Sequence, residues 1–365
     1  MKTIIISSII GVVIMSLVQT LSSAVSDSDH ALPSRTERSL QFKDGKFDNG
    51  AGDALDMSFS ESVSSAWEFF FTGNNRIPDT ELPFTRVNPE YFGSSEEDQL
   101  NVTWLGHSSL MINIDGYKIL TDPVFEKSVS IFGPTRFNGD VPLDISQVPQ
   151  ADVVIISHDH YDHLNKYSVQ SLNERTGMFV VPLAVGSRIV KWGVPQDKIV
   201  ELDWWEEYHF DGKLMIAATP AQHFSGRGLF DRNETLWASW VIRTPSHKLF
   251  FSGDSGYFDG FRRIGNKYGP FDMTFIECGA YNQSWSQVHM FPEQTVQAHL
   301  DLKGKVLHPI HWGTFNLSLH SWYEPMDRLT AAADSENVKI ATPVVGDTTV
   351  YGKALPIARW WEQKM

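Results

Sequence analysis

The run Ser157-His158-Asp159-His160-Tyr161-Asp162-His163 decides the fold of this chain. It directly follows the apolar stretch 153–156, which predicts a buried strand that ends in a loop. A packed core avoids several imidazoles and carboxylates in one loop, because each such group costs about 1–3 kcal/mol when it is buried without a partner. We therefore interpret the run as a metal site at the exit of a strand.

Three further side chains of the same chemistry follow apolar, strand-like segments: His223, Asp254 and His311. Judged alone, each has an ordinary alternative, because polar residues at strand ends also cap turns. Taken together, five histidines and two aspartates are too many ligands for one tetrahedral ion, so the sequence predicts two ions. The predicted ligands are His158, His160, Asp162, His163, His223, Asp254 and His311.

Spacing along the chain divides these ligands between the two ions. We assign to the first ion His158, His160 and His223. We assign to the second ion Asp162, His163 and His311. Asp254 is assigned as the bridging ligand, because a carboxylate has two oxygens and can contact two cations. Neutral imidazole and carboxylate suit Zn²⁺, so the predicted cofactor is two Zn²⁺ per chain, although other divalent first-row metals fit the same ligands.

The ligand run and its flanking segments resemble a known family. The ligands resemble those of the metallo-β-lactamase superfamily, and the flanks look most like its branch containing N-acyl-phosphatidylethanolamine-hydrolysing phospholipase D. The segments that carry this closer likeness are Thr103-Trp104-Leu105-Gly106-His107-Ser108-Ser109, Leu120-Thr121-Asp122-Pro123-Val124-Phe125, Gly133-Pro134-Thr135-Arg136-Phe137, Leu202-Asp203-Trp204-Trp205-Glu206, Gly253-Asp254-Ser255-Gly256-Tyr257, Gly279-Ala280-Tyr281 and Ile310-His311-Trp312-Gly313-Thr314-Phe315. The resemblance implies a four-layer αβ/βα sandwich, with metals at one edge between the sheets, in a single catalytic domain over residues 61–365.

Two positions separate the chain from other branches of this superfamily. True class B β-lactamases use a cysteine at the second metal where this chain has Asp254, and its only cysteine, Cys278, lies 24 positions later. Di-iron flavoproteins replace the second histidine of the run by a glutamate, where this chain has His160. Hydroxyacylglutathione hydrolases, tRNA 3′-end nucleases and sugar-phosphate lactonases share all seven ligand types, so only the flanking segments favour the phospholipase-like branch.

The resemblance also implies a reaction. It predicts a dinuclear zinc hydrolase of phospholipase D type that acts on an N-acylated phosphatidylethanolamine or a related lipid through a metal-bridging hydroxide. The predicted partner is therefore a lipid or small-molecule phosphodiester substrate. Two alternatives stay open: a lactonase or other ester hydrolase with the same site, and a non-catalytic periplasmic protein that binds metal and ligand.

Further residues are predicted to act on the substrate or to hold the ligands. The candidate catalytic side chains are Asp162 and His289, and the candidate substrate contacts are His289, Tyr257 and Tyr281. Ligating histidines usually donate their second ring N–H to a carboxylate or carbonyl, which fixes the orientation of the ring. The candidates for orienting the ligands from outside the metal site are His107, Asp122 and Asp159. Each has an ordinary alternative: His289 as a loop histidine, Asp122 as a turn cap, and the two tyrosines as packing residues.

The N-terminal part of the chain differs from the rest in composition. Residues 1–24 combine a short positive start, an apolar stretch and the small residues Ser22-Ser23-Ala24, which predicts a secretory signal and an exported, periplasmic or secreted protein. An uncleaved membrane anchor is the alternative. Residues 25–60 predict a flexible or loosely docked leader. Residues 60–71 predict a helix that packs on the core or faces substrate or membrane, so peripheral membrane contact through the aromatic residues 67–71 stays open.

Composition excludes some classes of function. One cysteine gives no intramolecular disulfide framework, so the fold depends on its core and its metals. A net charge of −14 gives no electrostatic footprint for nucleic acid.

From residue 100 onward, segments 102–105, 110–114 and 117–120 predict a β-meander with Asp115-Gly116 as a hairpin turn.

Overall fold

Apolar residues point in two opposite directions along the central strands. The computed structural model describes residues 34–49, 75–89, 99–130, 133–228 and 230–364. In strand β6 (Ala151–Ile155), Val153 and Ile155 pack into a core shared with a second sheet, whereas Val154 packs into a core shared with helices. A strand that is apolar on both faces has to lie between two layers. The predicted buried strand before the ligand run is therefore confirmed.

The first sheet has seven strands in the order β15-β3-β4-β5-β6-β7-β8. Its strands are β3 (Leu100–Trp104), β4 (Leu110–Ile114), β5 (Tyr117–Thr121), β6, β7 (Thr176–Pro182), β8 (Ile199–Leu202) and β15 (Thr348–Val350). β3, β4 and β5 pair antiparallel, and β5 to β8 pair parallel. The turn between β4 and β5 places Asp115 and Gly116 at positive φ, which a tight hairpin requires. The predicted β-meander is confirmed, with strand ends displaced by one or two residues.

The second sheet has six strands in the order β14-β13-β12-β11-β10-β9. Its strands are β9 (Glu207–Phe210), β10 (Leu214–Thr219), β11 (Ser239–Arg243), β12 (Lys248–Phe251), β13 (Phe271–Glu277) and β14 (Gly304–Ile310). β12, β13 and β14 are parallel, and β10 runs in the same direction because both β10 and β12 pair antiparallel with β11. The carboxyl ends of these four strands therefore meet at one edge of the sheet.

Helices cover the outer faces of both sheets. The α-helices are α1 (Lys166–Leu172), α2 (Gly186–Val190), α3 (Gly260–Lys267), α4 (Pro292–Asp301) and α5 (Glu324–Ser335). Short 3₁₀ helices span Ile145–Gln147, Asn173–Arg175, Gln196–Lys198, Gln283–Trp285 and Trp360–Lys364. α1 and α2 pack on the seven-stranded sheet, while α4 packs on β13 and β14 with α3 and α5 beside it. The predicted four-layer αβ/βα sandwich is confirmed.

A short N-terminal hairpin lies against the domain. It consists of β1 (Phe42–Lys43) and β2 (Lys46–Phe47), within the segment 25–60 that the sequence predicts to be flexible or loosely docked. Phe47 is 1% exposed and packs with Leu183, Leu236 and Trp237. The described part of the leader, residues 34–49, is docked through this buried ring, a backbone hydrogen bond from Phe47 to Asn233 at 2.8 Å and a hydrogen bond from Asn49 to the His223 carbonyl at 2.9 Å.

Two further predictions lie outside the described residues. These are the signal segment 1–24 and the helix at 60–71, including the aromatic residues 67–71. Within the described residues, the helices are all too short or too polar to cross a membrane.

Candidate metal centre

The structure brings together the three histidines assigned to the first ion. Nε2 of His158 lies 2.8 Å from Nδ1 of His160, and Nε2 of His223 lies 3.3 Å from the same Nδ1 atom. His158 and His160 leave the end of β6, and His223 follows β10 in the other sheet. The two sheets thus deliver three imidazoles to one point between them.

The three side chains assigned to the second ion also converge. Oδ2 of Asp162 lies 3.3 Å from Nε2 of His163 and 3.5 Å from Nε2 of His311. Nε2 of His107, predicted to stand behind the ligands, lies 2.9 Å from the same carboxylate oxygen. His107 therefore touches the cluster itself and orients Asp162.

Asp254 stands between the two groups. Its Oδ2 atom lies 3.1 Å from Nε2 of His163 and 3.2 Å from Nε2 of His311. The same oxygen lies 3.8 Å from Nε2 of His158 and 3.8 Å from Nε2 of His223. One carboxylate within reach of ligands from both groups is the arrangement that a bridging ligand requires.

Several buried polar atoms at this point make no well-aligned hydrogen bond among the described residues, although Nε2 of His163 and Nε2 of His311 lie 3.1 and 3.2 Å from Oδ2 of Asp254. They are Nε2 of His163, both ring nitrogens of His311 and Oδ1 of Asp254. Leaving such atoms unsatisfied costs about 1–3 kcal/mol each, so a folded chain normally gives them a partner. Imidazole nitrogens and carboxylate oxygens are the donors that divalent first-row cations bind, and the set therefore fits a divalent metal centre.

The histidines of the first group are neutral. Burial, with the neighbouring imidazoles, holds the pKa of His158 well below its usual value. Burial likewise lowers the pKa of His160 and holds that of His223 well below its usual value. Neutral imidazole is the form that binds a metal, so these three rings need no deprotonation before they do so.

In the second group the histidine pKa values are raised and the carboxyl pKa values are lowered. Burial lowers the pKa of His163, but Asp254 and Asp162 outweigh burial and raise it well above the usual value. The pKa of His311 is raised to about 10 against burial, mainly by Asp254. Burial opposes ionisation of Asp254 and Asp162, yet His163 holds both carboxyl pKa values well below their usual range. These carboxylates therefore attract positive charge, and a metal cation would displace the imidazole protons.

Asp122 contacts the base of the ligand loop and one predicted ligand. Its Oδ1 accepts a hydrogen bond from the Ser157 backbone N–H at 2.7 Å, and its Oδ2 accepts from the Ser157 hydroxyl at 2.6 Å. The same Oδ2 lies 2.7 Å from Nδ1 of His163. Gly253, at φ +56°, lets the Asp254 loop approach closely, because an added Cβ would meet Ser157 Cβ at 2.5 Å.

Two histidines at this edge adopt a left-handed backbone conformation. His107 has φ +55° and His311 has φ +62°, values that non-glycine residues rarely adopt. The His107 carbonyl accepts from the Trp104 indole N–H at 2.9 Å and from the His311 backbone N–H at 3.2 Å. These bonds hold both residues in place, with their ring centroids 4.1 Å apart and their ring planes tilted by 43°.

The sequence makes Asp159 a candidate for orienting a ligand histidine, but its contacts in the structure are to other groups. Its carboxylate pairs with Nε of Arg188 at 2.7 Å and accepts from the Gly226 backbone N–H at 2.8 Å. Nη1 of Arg227 donates to the Asp159 carbonyl at 2.6 Å. Asp159 therefore ties the ligand run to the loop after His223 and does not orient a ligand ring.

The two tyrosines predicted to contact substrate have protein partners. The Tyr257 hydroxyl donates to Asp301 at 2.7 Å, and the Tyr281 hydroxyl donates to Glu324 at 2.8 Å. The Tyr281 ring also stacks on His320 with centroids 4.3 Å apart. These contacts support the packing alternative, and a substrate contact stays a prediction for both.

His289 lies beside both ligand groups. Its ring centroid is 5.2 Å from that of His223 and 5.3 Å from that of His311. Its Nδ1 atom lies 3.1 Å from Oε2 of Glu277, a fully buried carboxylate that sequence reasoning missed. Burial raises the pKa of Glu277, while His289 acts to lower it. Glu277 ends the apolar strand β13, the same pattern that singled out Asp254.

A recess opens beside His311. It is small, with a cavity volume of about 20 Å³. Its apolar lining includes Phe137, Phe315, Leu317 and Trp322. Apolar side chains therefore adjoin the polar cluster at His311.

The chain matches one protein family and is similar to several known proteins. The chain matches a family model described as Beta-lactamase superfamily domain over residues 117–312, a range that contains all the predicted ligands. It is 41% identical over 334 residues to an uncharacterized protein of Mycobacterium tuberculosis (strain ATCC 25618 / H37Rv), covering 89% of this chain and 88% of that relative. It is 32% identical over 350 residues to N-acyl-phosphatidylethanolamine-hydrolyzing phospholipase D 1 of Caenorhabditis elegans, covering 91% and 97%.

A solved structure shares the fold. The chain is similar to Igni18, described as a novel metallo hydrolase from the hyperthermophilic archaeon Ignicoccus hospitalis, with a TM-score of 0.53 and 20% identity. The similarity covers 70% of this chain and 100% of that one. At this identity the likeness shows the fold alone.

Proposed function

Because this chain belongs to the metallo-β-lactamase superfamily, in the branch resembling N-acyl-phosphatidylethanolamine-hydrolysing phospholipase D, we propose that it is a dinuclear zinc phosphodiesterase. The resemblance predicted from the sequence is confirmed, and the chain is a metal-dependent hydrolase. The finer proposal names the substrate as an N-acylated phosphatidylethanolamine or a related lipid. The likeness to the phospholipase D relative supports that substrate. One observation carries the dinuclear centre: Oδ2 of Asp254 lies between 3.1 and 3.8 Å from four imidazole nitrogens of two ligand groups.

The proposed ligands divide as their contacts suggest. His158, His160 and His223 would hold one ion, and Asp162, His163 and His311 would hold the other, with Asp254 shared. When bound, two divalent ions would supply the positive charge that polarises a phosphodiester and activates water near neutral pH. The protein contributes fixed ligand positions, because Asp122 and His107 each hold one member of the cluster.

His289, beside the cluster, is the residue placed to assist the leaving group. His289 stands beside His223 and His311, and its Nδ1 is engaged by Glu277. Its Nε2 atom is therefore the nitrogen available to contact the phosphate or to give a proton to the leaving alcohol.

The proposal includes export. Residues 1–24 would direct the chain out of the cytoplasm, to the periplasm or the medium. Fractionation of cells that produce the full chain tests this part alone. Recovery of the shortened protein outside the cytoplasm supports export, and recovery of the full-length protein in the cytoplasm contradicts it.

The experiment that tests the activity is a turnover screen of the zinc-loaded protein in detergent. Phosphodiesters, lactones and thioesters are offered in parallel, with Asp254→Ala as the inactive control. We expect release of an N-acylethanolamine and a phosphatidate from the N-acylated phospholipid. Turnover of lactones or thioesters without phosphodiester cleavage would instead assign the same site to ester hydrolysis.

A further inference from the structure

A buried carboxylate contacts His289, a histidine of the site that is not assigned to a metal. Glu277 is 0% exposed, and its Oε2 atom lies 3.1 Å from Nδ1 of His289. Its other oxygen, Oε1, accepts from the Met290 backbone N–H at 3.1 Å and faces the Ser255 backbone N–H at 3.4 Å. The three donors account for both carboxylate oxygens.

Those contacts distinguish Glu277 from the metal ligands. His163, His311 and Asp254 each carry a buried polar atom that has no hydrogen-bond partner among the described residues. Glu277 has no such atom there, because its oxygens already accept from protein N–H groups. A carboxylate that is satisfied in this way holds its neighbours and does not wait for a cation.

The backbone of Glu277 is fixed as firmly as its side chain. Its N–H donates to the Ser252 hydroxyl at 3.0 Å, and its carbonyl accepts from the Thr295 hydroxyl at 2.7 Å. Ser252 precedes the Asp254 turn, and Thr295 lies in α4. Glu277 thus joins the Asp254 loop, the His289 loop and α4 at one point.

We propose that Glu277 is a positioning residue, which accepts the Nδ1–H of His289 and thereby turns Nε2 of that ring toward the reacting phosphodiester. The proposal rests on the proposed function for the identity of the reacting group. A carboxylate on one nitrogen fixes the tautomer and the plane of an imidazole, as it does for histidines in other catalytic and metal sites.

The proton balance of the step is simple. The bond between phosphorus and the leaving oxygen breaks, and its electron pair goes to that oxygen. The oxygen takes a proton from Nε2 of the protonated His289 ring, which leaves a neutral ring with its Nδ1–H still on Glu277. Water supplies an oxygen to phosphorus, and its released proton restores the ring. Glu277 neither gains nor loses a proton in this step.

The test compares two leaving groups in Glu277→Leu and Glu277→Gln. One substrate releases an alkyl alcohol, which needs a proton, and the other releases p-nitrophenolate, which does not. We expect Glu277→Leu to slow the alkyl substrate about 100-fold, the lower range for general acid catalysis, and the nitrophenyl substrate less than about 3-fold. Glu277→Gln keeps an acceptor oxygen and should fall between Glu277→Leu and wild type. The exposed Glu293→Gln is the matched control.

A double variant separates positioning from general damage. In a His289→Ala background, Glu277→Leu should cause no further loss, because Glu277 acts through that ring. Metal content should equal that of wild type. Equal losses on both leaving groups, an additional loss in the His289→Ala background, or a loss of metal would each overturn the proposal.

A second measurement does not depend on turnover. Long-range ¹H–¹⁵N spectra of the zinc-loaded protein, with His289→Ala for assignment, report which nitrogen of His289 carries the proton. We expect a single state with Nδ1 protonated in wild type and a mixture of tautomers in Glu277→Leu. An unprotonated Nδ1 in wild type overturns the proposal. The expected spectra without any phosphodiester turnover would instead overturn the proposed function and leave the positioning intact.

Discussion

Nδ1 of His163 lies 2.7 Å from Oδ2 of Asp122, and this contact leaves Nε2 as the nitrogen of His163 that faces Asp162 and Asp254. The same Asp122 carboxylate also binds the Ser157 backbone and hydroxyl. Asp122, directly after β5, therefore orients the predicted metal ligand His163 and anchors the loop that carries it.

Asp122→Asn should weaken zinc binding. The amide keeps the shape of the side chain but loses the charge that stabilises the Nδ1–H of His163, and loss of such a partner typically costs 10- to 100-fold in metal affinity, so about 30-fold is expected. Competition with a chromophoric chelator measures the affinity. Asp144→Asn, at an exposed turn, is the matched control. An unchanged affinity in Asp122→Asn would show that the contact does not support the site.

Arg136→Met should destabilise the folded chain by about 3 kcal/mol, because backbone carbonyls lose charged donors in a buried place. The buried guanidinium donates to the carbonyls of Leu105 at 3.0 Å, Val124 at 2.6 Å and Glu126 at 3.1 Å. Urea unfolding measures the loss. Arg262→Met removes an exposed guanidinium and should change stability by less than about 0.5 kcal/mol. Equal effects of the two variants would contradict this role.

His308 should make stability depend on pH. Burial lowers its pKa from 6.5 to about 3, and neither ring nitrogen has a hydrogen-bond partner among the described residues. The unfolded chain therefore takes up this proton first, so the stability contribution is complete above pH 6.5 and falls as the pH drops from 6.5 toward 3. At 1.36 kcal/mol per pH unit, His308 alone costs about 2 kcal/mol between pH 6.5 and 5.

The check is the free energy of unfolding of His308→Leu at pH 7 and pH 5. The variant should lose about 2 kcal/mol less than wild type on acidification. His209→Leu, which removes an exposed histidine, controls for the loss of any imidazole. A His308→Leu protein that is as acid-sensitive as wild type would refute the assignment.

Phe47→Ala should undock the N-terminal hairpin. Phe47 is the buried anchor of residues 34–49, and truncating a buried phenylalanine costs about 3 kcal/mol or more. We expect faster proteolytic cleavage within this segment while the domain stays folded. Phe230→Ala, at a 75% exposed position, should leave the cleavage rate unchanged. Equal cleavage of Phe47→Ala and wild type would mean that the ring does not hold the hairpin.

The sequence predicted most of the clustered histidines and aspartates, because residue type and local position are enough to recognise each of them. His158 to His163 stand in one run, and Asp254 and His311 each follow an apolar strand, so chemistry and strand pattern agree at each position. The four-layer sandwich was implied by the family resemblance, and strands such as β4 and β10 were recognisable because they are largely apolar.

The missed features depend on contacts between distant segments. Glu277 ends a strand as many turn-capping residues do, and only the fold brings it to His289. Arg136 binds backbone carbonyls. Every residue type has a backbone carbonyl, so the sequence does not indicate these contacts. Asp159 lies within the ligand run, but it turns toward Arg188, because alternate positions of an irregular loop face different directions.

Metal analysis of the purified full chain tests the central claim most directly. If the two ligand groups share Asp254 as the geometry suggests, zinc-saturated protein should carry about two ions per chain, and Asp254→Ala should remain folded but lose metal and turnover. A wild-type protein that carries close to zero ions after gentle purification and zinc loading, or an Asp254→Ala protein with full metal content and activity, would contradict the dinuclear centre.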